Sequence, residues 1–485
     1  MKTPAFILAQ RRSLFWRIHL WAALIASPFA LVAVLTGLLY VFTPQIEGVL
    51  YEHLDTVRPT AVRRPLDEIV QAARDAAPAG LELRTVNVPA MAERSVQVVF
   101  SPRKPGAASE AHAGHAGHGA PTAAAVTAHA MDHAAHAGHG APAAAAVAAA
   151  PAATESAQWG DRLPRGMVVY VNPYTAEVLG RHGEMERFNL WARRLHSSLL
   201  QGDGWRWMIE LAASWMMVML LTGVYLWWPR RRTRALPQVQ ARGRAAWQQW
   251  HAFLGVVLSV MSLAILTTGL TWSRHAGEQI RVIRDFAGQA SPTAPRGLQS
   301  AVIAGARPLD WQAVLEIAQK QVPHVATQIM PPRGPAGVWR LNNVDRGQAL
   351  GRFNLVLDAY SGKTLFHAGW EEQTAFGKAT AIGIPFHRGE FGWWNQALLF
   401  VFGAGVLFSL VSGWVMLVKR QRQGASLLPR LMPGAWTSMP RAGWVLAAVL
   451  CVAMPLLAAS AAAVVAVEAI LGWRRRAGLP VLARG

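Results

Sequence analysis

The stretch that decides the fold runs from Trp16 to Phe42 and reads WRIHLWAALIASPFALVAVLTGLLYVF. At a helical rise of about 1.5 Å per residue it spans roughly 40 Å, more than the ~30 Å hydrocarbon core of a bilayer. His19 lies near its start and the pair Thr36-Gly37 near its end. The run is too long for the apolar region of a signal peptide and no small-residue cleavage site follows it. We therefore expect a retained membrane-spanning helix.

The same design returns at Trp250–Trp272, WHAFLGVVLSVMSLAILTTGLTW. His19 lies 18 residues before Gly37, and His251 lies 18 residues before Gly269. Equal offsets between two histidines and two Thr-Gly pairs are hard to ascribe to composition alone. They predict an internal repeat.

Two further apolar runs match each other in a similar way. His196 precedes Gly223 by 27 residues, and His387 precedes Gly413 by 26. Small residues of this kind allow close packing between membrane helices, and we assign the Thr-Gly and Ser-Gly pairs that role. The four runs together predict a helix–domain–helix unit that is present twice.

The composition and the placement of charge favour a membrane protein. The chain has 485 residues, of which 52% are hydrophobic and 15% charged, with a mean hydropathy of +0.21. The formal charge of +20 does not point to nucleic acid, because much of the Lys and Arg stands beside apolar runs, as the positive-inside rule describes for cytoplasmic segments. The clusters are Arg11-Arg12, Arg230–Arg232 with Arg234, Arg242 and Arg244, and Lys419-Arg420 with Arg422.

We therefore predict an α-helical integral membrane protein. Its core is four transmembrane helices in two repeats, with two small external α/β domains and an extra C-terminal helix. The expected order is a cytoplasmic N-terminus (1–15), a first helix (16–43), a first external domain (44–204), a second helix (205–228), a basic cytoplasmic loop (229–246), a third helix (247–273), a second external domain (274–390), a fourth helix (393–418), a cytoplasmic segment (419–441), a fifth helix (444–473) and a tail (474–485). The direction of the fifth helix stays open, because a single crossing would place Arg474–Arg476 outside, against the charge rule.

An insertion at 107–157 interrupts the first predicted domain. It is rich in Ala, Gly and Pro, a composition that cannot bury a core, and we expect it to be disordered. Its histidines suit Cu, Ni, Zn or Fe without selecting among them, and drift of a low-complexity segment is the alternative. The seven candidate ligands are His112, His115, His118, His129, His133, His136 and His139.

The repeat-matched histidines fall into two pairs. His19 and His251 lie near the cytoplasmic ends of the first and third helices, and His196 and His387 lie just before the second and fourth, at the external face. Two imidazoles that face each other between helices can bind an iron porphyrin, so the pattern predicts two b-type haems. Anchoring of each helix at the membrane interface is the simpler alternative, and His275 is a rival external ligand.

The sequence also limits other redox chemistry. The only cysteine, Cys451, lies in an apolar run, so the chain has no internal disulfide and no Cys-x-x-Cys-His haem attachment. It shows no Gly-rich dinucleotide motif and no flavin domain. An electron donor must then be another molecule, either membrane quinone or a cytoplasmic reductase.

Four segments resemble the PepSY-associated transmembrane helix family, sometimes described as iron-regulated membrane proteins. They are WRIHLW…LTGLLYVF, RRLHSSLL…LLTGVYLWWPRR, WHAFLG…LTTGL and FHRGEFG…LVSGWVMLVKR, which match in order over about 10–425. Members studied as ferric-siderophore reductases have four core helices, two periplasmic PepSY-like domains and two haems. The resemblance implies the same for this chain, in the bacterial inner membrane, with both external domains in the periplasm. The chain departs from the pattern in its His-rich insertion and extra C-terminal helix.

We expect a di-haem electron-transfer protein that accepts electrons at the His19/His251 site and reduces a ferric siderophore or other iron chelate beyond the His196/His387 site. Reduction would make the chain an oxidoreductase. The lipid bilayer is its other partner, and we expect the protein to bind no nucleic acid. Two alternatives stay open. One is a non-enzymatic copper- or iron-handling protein that uses the His-rich insertion, and the other is a regulatory PepSY membrane protein.

Overall fold

A computed structural model describes residues 3–60, 62–102, 166–228, 236–428 and 431–477. The first half of the chain contains α1 (Pro4–Val41), α2 (Thr43–Leu50), α3 (Glu52–Asp55), α4 (Leu66–Ala76), β1 (Leu81–Val88), β2 (Val96–Pro102), β3 (Met167–Val171), β4 (Val178–Gly183), α5 (Phe188–Ser198) and α6 (Trp207–Trp227). The second half contains α7 (Gly243–Val257), α8 (Ser259–Leu270), α9 (His275–Phe286), α10 (Trp311–Gln321), β5 (Thr327–Met330), β6 (Val338–Asn343), β7 (Asn354–Asp358), β8 (Thr364–Ala368), α11 (Ala375–Arg388), α12 (Trp393–Arg422), α13 (Arg441–Ala453) and α14 (Pro455–Arg476).

The chain is a multi-pass membrane protein. Within the described residues, α1, α6, α12 and α14 are each long and apolar enough to span a bilayer, and the bent pair α7/α8 makes a fifth if it counts as one span. The third predicted helix is thus two helices that meet at 58°. Ser259 marks the bend, because its hydroxyl donates to the Val256 carbonyl oxygen (2.7 Å) and so competes with the helical ladder.

The spanning helices form a ring in which α1 contacts α6 and α12, α12 contacts α7, and α6 contacts both α7 and α8. Arg420, near the end of α12, stacks on the ring of Trp16 at 4.7 Å. This contact places the basic residues of α1 and α12 at one end of the bundle, which we call the basic end. The opposite end carries the β-strands, and we call it the domain end.

The apolar run predicted as a fifth helix is two helices, because the chain breaks at Met454 before Pro455, and Pro cannot continue a helix from the preceding turn. Arg11 donates to the Ser438 carbonyl oxygen (2.7 Å) just before α13, and Arg17 pairs with Glu468 (2.7 Å) late in α14. Both ends of the segment therefore lie at the basic end, and α13 and α14 form a hairpin. The C-terminal arginines thus return to the basic side of the bundle.

All eight strands form one antiparallel sheet in the order β4-β3-β2-β1-β5-β6-β7-β8. Each half of the sheet has one helix before its four strands, α4 or α10. The two halves join where Val86 of β1 pairs with Ile329 of β5. The strands of the two predicted domains are therefore continuous through one sheet, and the assignment of these domains to the periplasm stays a prediction.

Matched contacts relate the two halves of the sheet. The main-chain N–H of Tyr174 donates to Asn172 Oδ1 (2.9 Å), and that of Tyr360 donates to Asp358 Oδ1 (3.0 Å). The two tyrosine hydroxyls then each donate to a carbonyl oxygen across a turn, at 3.0 and 2.9 Å. A duplicated unit would give such contacts, and the duplication itself stays a prediction.

Arg187 fixes the sheet to the bundle. Its guanidinium donates to both carboxylate oxygens of Asp55 (2.9 and 2.6 Å) and to the Tyr170 hydroxyl on β3 (3.0 Å), and it stacks on Tyr51 at 4.5 Å. Asp55 ends α3, which continues the chain from α1, and α5 begins directly after Arg187. The same residue therefore ties the sheet, the end of α1 and the start of α5 together.

We predict that Glu468→Ala destabilises the protein strongly. The Arg17 side chain is 1% exposed and that of Glu468 10%, so removal of the carboxylate takes a counter-charge away from a buried guanidinium. Breaking one side of a buried ion pair costs about 3–5 kcal/mol. Thermal unfolding of the full chain in detergent, followed by tryptophan fluorescence, measures the loss.

The double variant Arg17→Leu with Glu468→Leu is the control, because it removes both charges and keeps apolar volume. It should unfold at a higher temperature than Glu468→Ala. A single variant as stable as the unaltered protein would show that this ion pair does not hold the C-terminal hairpin.

Candidate functional site

The structure brings the four repeat-matched histidines together as two pairs. At the basic end, the rings of His19 on α1 and His251 on α7 have centroids 6.3 Å apart and are nearly perpendicular, at 86°. At the domain end, His196 on α5 and His387 on α11 are close enough to interact electrostatically. In each pair the two rings come from opposite sides of the bundle.

Each imidazole is seated on a hydroxyl of a neighbouring helix through its Nδ1 atom. His19 Nδ1 lies 3.1 Å from Thr222 Oγ1 and 2.9 Å from the Met219 carbonyl oxygen on α6. His251 makes the equivalent contacts on α12. The Nδ1 atom of His251 lies 3.0 Å from both Ser412 Oγ and the Ser409 carbonyl oxygen. The Nδ1 atom of His196 lies 3.0 Å from Thr36 Oγ1, and that of His387 lies 2.9 Å from Thr268 Oγ1.

These hydroxyls fix the proton on Nδ1. Thr222 Oγ1 donates its own proton back along α6 to the Val218 carbonyl oxygen (2.7 Å), and Thr36 does the same to Val32 (2.8 Å). Thr268 and Ser412 also donate within their own helices. A hydroxyl whose proton goes to its own helix accepts from the ring, and the carbonyl oxygens of Met219 and Ser409 can only accept. We therefore assign the ring proton of each histidine to Nδ1. The Nε2 lone pair of every ring is then available to a metal.

A glycine lies under each ring. Cβ atoms added at Gly223 and Gly413 would lie 3.2 Å from His19 Cε1 and 3.7 Å from His251 Cε1. The corresponding distances are 3.4 Å from Gly37 to His196 and 3.4 Å from Gly269 to His387. The Thr-Gly and Ser-Gly pairs are therefore histidine seats, whereas the sequence suggested general helix packing. The equal His-to-Gly offsets were the available signal, because they mark the repeated histidines and glycines, although each histidine lies against the glycine of a different apolar run.

The four rings lie between packed helices, and all four histidines are half-buried. The diagonal helices α1 and α7, which carry His19 and His251, are each held by α6 and α12 on either side. A pocket beside His196 is lined by Ala33 of α1 and Met208 of α6. Helix bundles place cofactors between facing helices of this kind.

The donor set fits a haem better than a bare metal ion. Two imidazoles that bind one ion at the usual ~2.0–2.1 Å place their ring centroids roughly 6 Å apart, which agrees with the 6.3 Å between His19 and His251. Across the described part of the chain, no group of three or more His, Cys, Asp or Glu side chains is arranged to hold an ion. A pair of imidazoles suffices for a metal that brings its remaining ligands with it, as porphyrin iron does.

The rival external ligand has a different environment. The carboxylate of Glu210, buried in α6, accepts hydrogen bonds from the main-chain N–H groups of His275 (3.1 Å) and Ala276 (2.7 Å) at the start of α9. The His275 ring lies 3.4 Å from the same carboxylate. The Glu210 carboxylate therefore lies at the N-terminus of α9, which begins at His275, and the positive end of the helix dipole favours a negative charge there. The seven histidines of the insertion lie outside the described residues.

We predict that Gly223→Ala disturbs the basic-end pair more than Gly413→Ala does. A methyl group at 223 meets the His19 ring at 3.2 Å and must displace it, whereas at 413 the 3.7 Å contact is ordinary van der Waals distance. Bound haem per chain, measured by absorption after purification, should fall in the first variant and stay close to the unaltered value in the second. Equal haem content in both would argue against a seat that positions His19.

Known protein families include one that matches most of this chain. A family model described as the PepSY-associated TM region matches residues 16–420, which include all four paired histidines and both halves of the sheet. The match ends before α13 and α14. No curated protein matches the sequence. Because the match covers most of the chain, the protein belongs to the PepSY-associated TM family.

Proposed function

We propose that this chain is a di-haem electron-transfer protein of the bacterial inner membrane that reduces a ferric chelate in the periplasm. The observation that carries the proposal is the shared geometry of the two histidine pairs. Each ring is oriented by a hydrogen bond from its Nδ1–H to a hydroxyl oxygen of a neighbouring helix. This leaves two Nε2 atoms at each end of the bundle to bind a metal. Interface anchoring, the simpler role for a histidine, needs no such pairing.

In this proposal, His19 and His251 hold one haem and His196 and His387 hold the other. Haem iron, when bound by two imidazoles, supplies one-electron redox chemistry. The protein sets the spacing of the sites. From His19 to Thr36, the seat of His196, α1 advances 17 residues, or roughly 25 Å at about 1.5 Å per residue. The two sites together therefore cover most of a ~30 Å hydrocarbon core.

The domain end supports the substrate side of the proposal. The sheet is fixed there by Arg187, next to α5 and its His196. A ferric chelate that gains one electron becomes a ferrous chelate, and hard hydroxamate or catecholate oxygens hold the softer ferrous ion less well. Iron release then follows from reduction. Quinone or a cytoplasmic reductase would supply the electrons at the basic end.

The histidine assignment predicts separable sites. His19→Ala, His251→Ala, His196→Ala and His387→Ala should each lower the haem-to-protein ratio towards half, because each removes one axial ligand from one site. The double variant His251→Ala with His387→Ala should be close to colourless. The ratio is measured from the visible spectrum and protein concentration of the full chain in detergent.

His53→Ala is the matched control, because His53 is an exposed histidine on α3 and should leave the ratio unchanged. Haem content that is unchanged in all four single variants would return these histidines to the role of interface anchors.

The reductase activity has a separate test. The purified protein is reduced with dithionite, freed of excess reductant and mixed with a ferric trihydroxamate, while a ferrous-specific dye captures the product. We expect one ferrous ion per electron delivered. The rate of reduction should fall at least about tenfold in His387→Ala and should be unchanged in His53→Ala. A reduced protein that keeps its electrons in the presence of the chelate would contradict the proposed substrate class.

A further inference from the structure

Three arginines from different elements gather beside the domain-end histidine pair. Arg193 lies on α5, one helical turn before His196, and Arg388 directly follows His387 at the end of α11. Arg346 lies in the loop after β6. The positive charge of Arg388 acts on both of the other guanidinium groups, and that of Arg193 acts on Arg346. The three charges therefore share one region.

Among the described residues, ion pairs account for only one of the three charges. Arg388 donates to the Tyr40 hydroxyl from Nε (3.1 Å) and Nη2 (2.8 Å), and its Nη2 pairs with Glu390 at 2.8 Å. Arg346 stacks on the ring of Trp272 at 5.9 Å. Within the described residues, neither Arg193 nor Arg346 has a carboxylate at ion-pair distance.

The electrostatics leave this region short of negative charge. Desolvation lowers the pKa of Arg193 and of Arg346, and the charge of Arg388 lowers both further. The carboxylate of Glu390 acts on Arg346 as well as on Arg388, but burial raises the pKa of Glu390. Arg194 and Arg206 add positive charge around Arg193. Arg193 and Arg346 nevertheless keep exposed side chains. Like charges held together at an open surface are stabilised by an anion.

We propose that Arg193 and Arg346, with Arg388 behind them, form a carboxylate-binding site at the opening of the His196–His387 site. The planar guanidinium fork matches a carboxylate through two parallel N–H···O bonds, and two such forks with no acid of their own suit a ligand that carries more than one carboxylate. This inference rests on the proposed function, because it names what the domain-end site binds.

Two sources could supply the carboxylate. One is the pair of propionate groups on a porphyrin held by His196 and His387. The other is an acidic ferric chelate that docks at the domain end. Both place anionic oxygens next to the same histidines, so the experiment has one arm for each source.

The variants are Arg193→Gln and Arg346→Gln, which keep side-chain length and polarity but remove the charge. Arg352→Gln is the control, because Arg352 is a half-buried arginine of the same part of the sheet on which no neighbouring charge acts. Arg346→Lys keeps the charge and loses the fork. All variants are compared as the full chain in detergent, after gel filtration shows one monodisperse species.

The first arm measures binding of ferric citrate by equilibrium dialysis, with a neutral ferric trihydroxamate as the reference probe. If the carboxylate belongs to the chelate, citrate affinity falls about tenfold in both glutamine variants, falls less in Arg346→Lys and stays unchanged in Arg352→Gln. Affinity for the trihydroxamate changes little in all of them.

The second arm measures how fast apomyoglobin extracts haem in a His251→Ala background, which retains the domain-end site alone. If the carboxylate is a propionate, extraction accelerates about tenfold in the glutamine variants and citrate binding does not change. Unaltered citrate binding together with unaltered extraction in both glutamine variants would overturn the proposal. If the unaltered protein held no haem, the proposed function would fail by that result alone, and the citrate arm would still decide this inference.

Discussion

The hydrogen bond from each histidine Nδ1–H to a threonine or serine hydroxyl is the interaction on which the account depends. It is made four times, on four different helices, and each hydroxyl has already donated its proton to its own backbone. The accepting role of the hydroxyl is therefore fixed, and so is the histidine tautomer. A glycine beside each hydroxyl lets the ring approach the helix. Without this arrangement, four imidazoles near a membrane would be interface residues, and nothing would hold their rings in one orientation.

The rest of the structure serves to hold these seats at fixed distances. The bundle places one pair at each end, and the α13–α14 hairpin closes on α1 through the buried pair of Arg17 and Glu468. At the other end, Arg187 joins α5 to the sheet, and the continuous strand pairing makes the two halves of the chain one body. Charges buried among apolar helices are costly unless they are paired, so the pairing of Arg17 with Glu468 and of Arg187 with Asp55 is evidence that the arrangement is specified.

Much of this could be predicted from sequence, because it depends on local pattern. Apolar run length predicted the spanning helices, and equal offsets singled out His19, His251, His196 and His387, whose role as haem ligands stays a prediction. What the sequence did not reveal depends on non-local packing. The pairing of β1 with β5 joins strands that are far apart in the chain, so no turn sequence between them could predict it. The role of the glycines needed the distance from a ring on one helix to the backbone of another. The break at Met454 had a local signal in Pro455, which the length of the apolar run obscured.

The most direct test of the central claim is the electron paramagnetic resonance spectrum of the oxidised full-length protein, read with its haem-to-protein ratio. The two histidine pairs predict two haems per chain. Both should be low-spin, because each iron would be bound by two imidazoles in addition to its porphyrin nitrogens. A colourless protein, one haem per chain, or a high-spin signal from an iron with an open axial position would contradict the assignment.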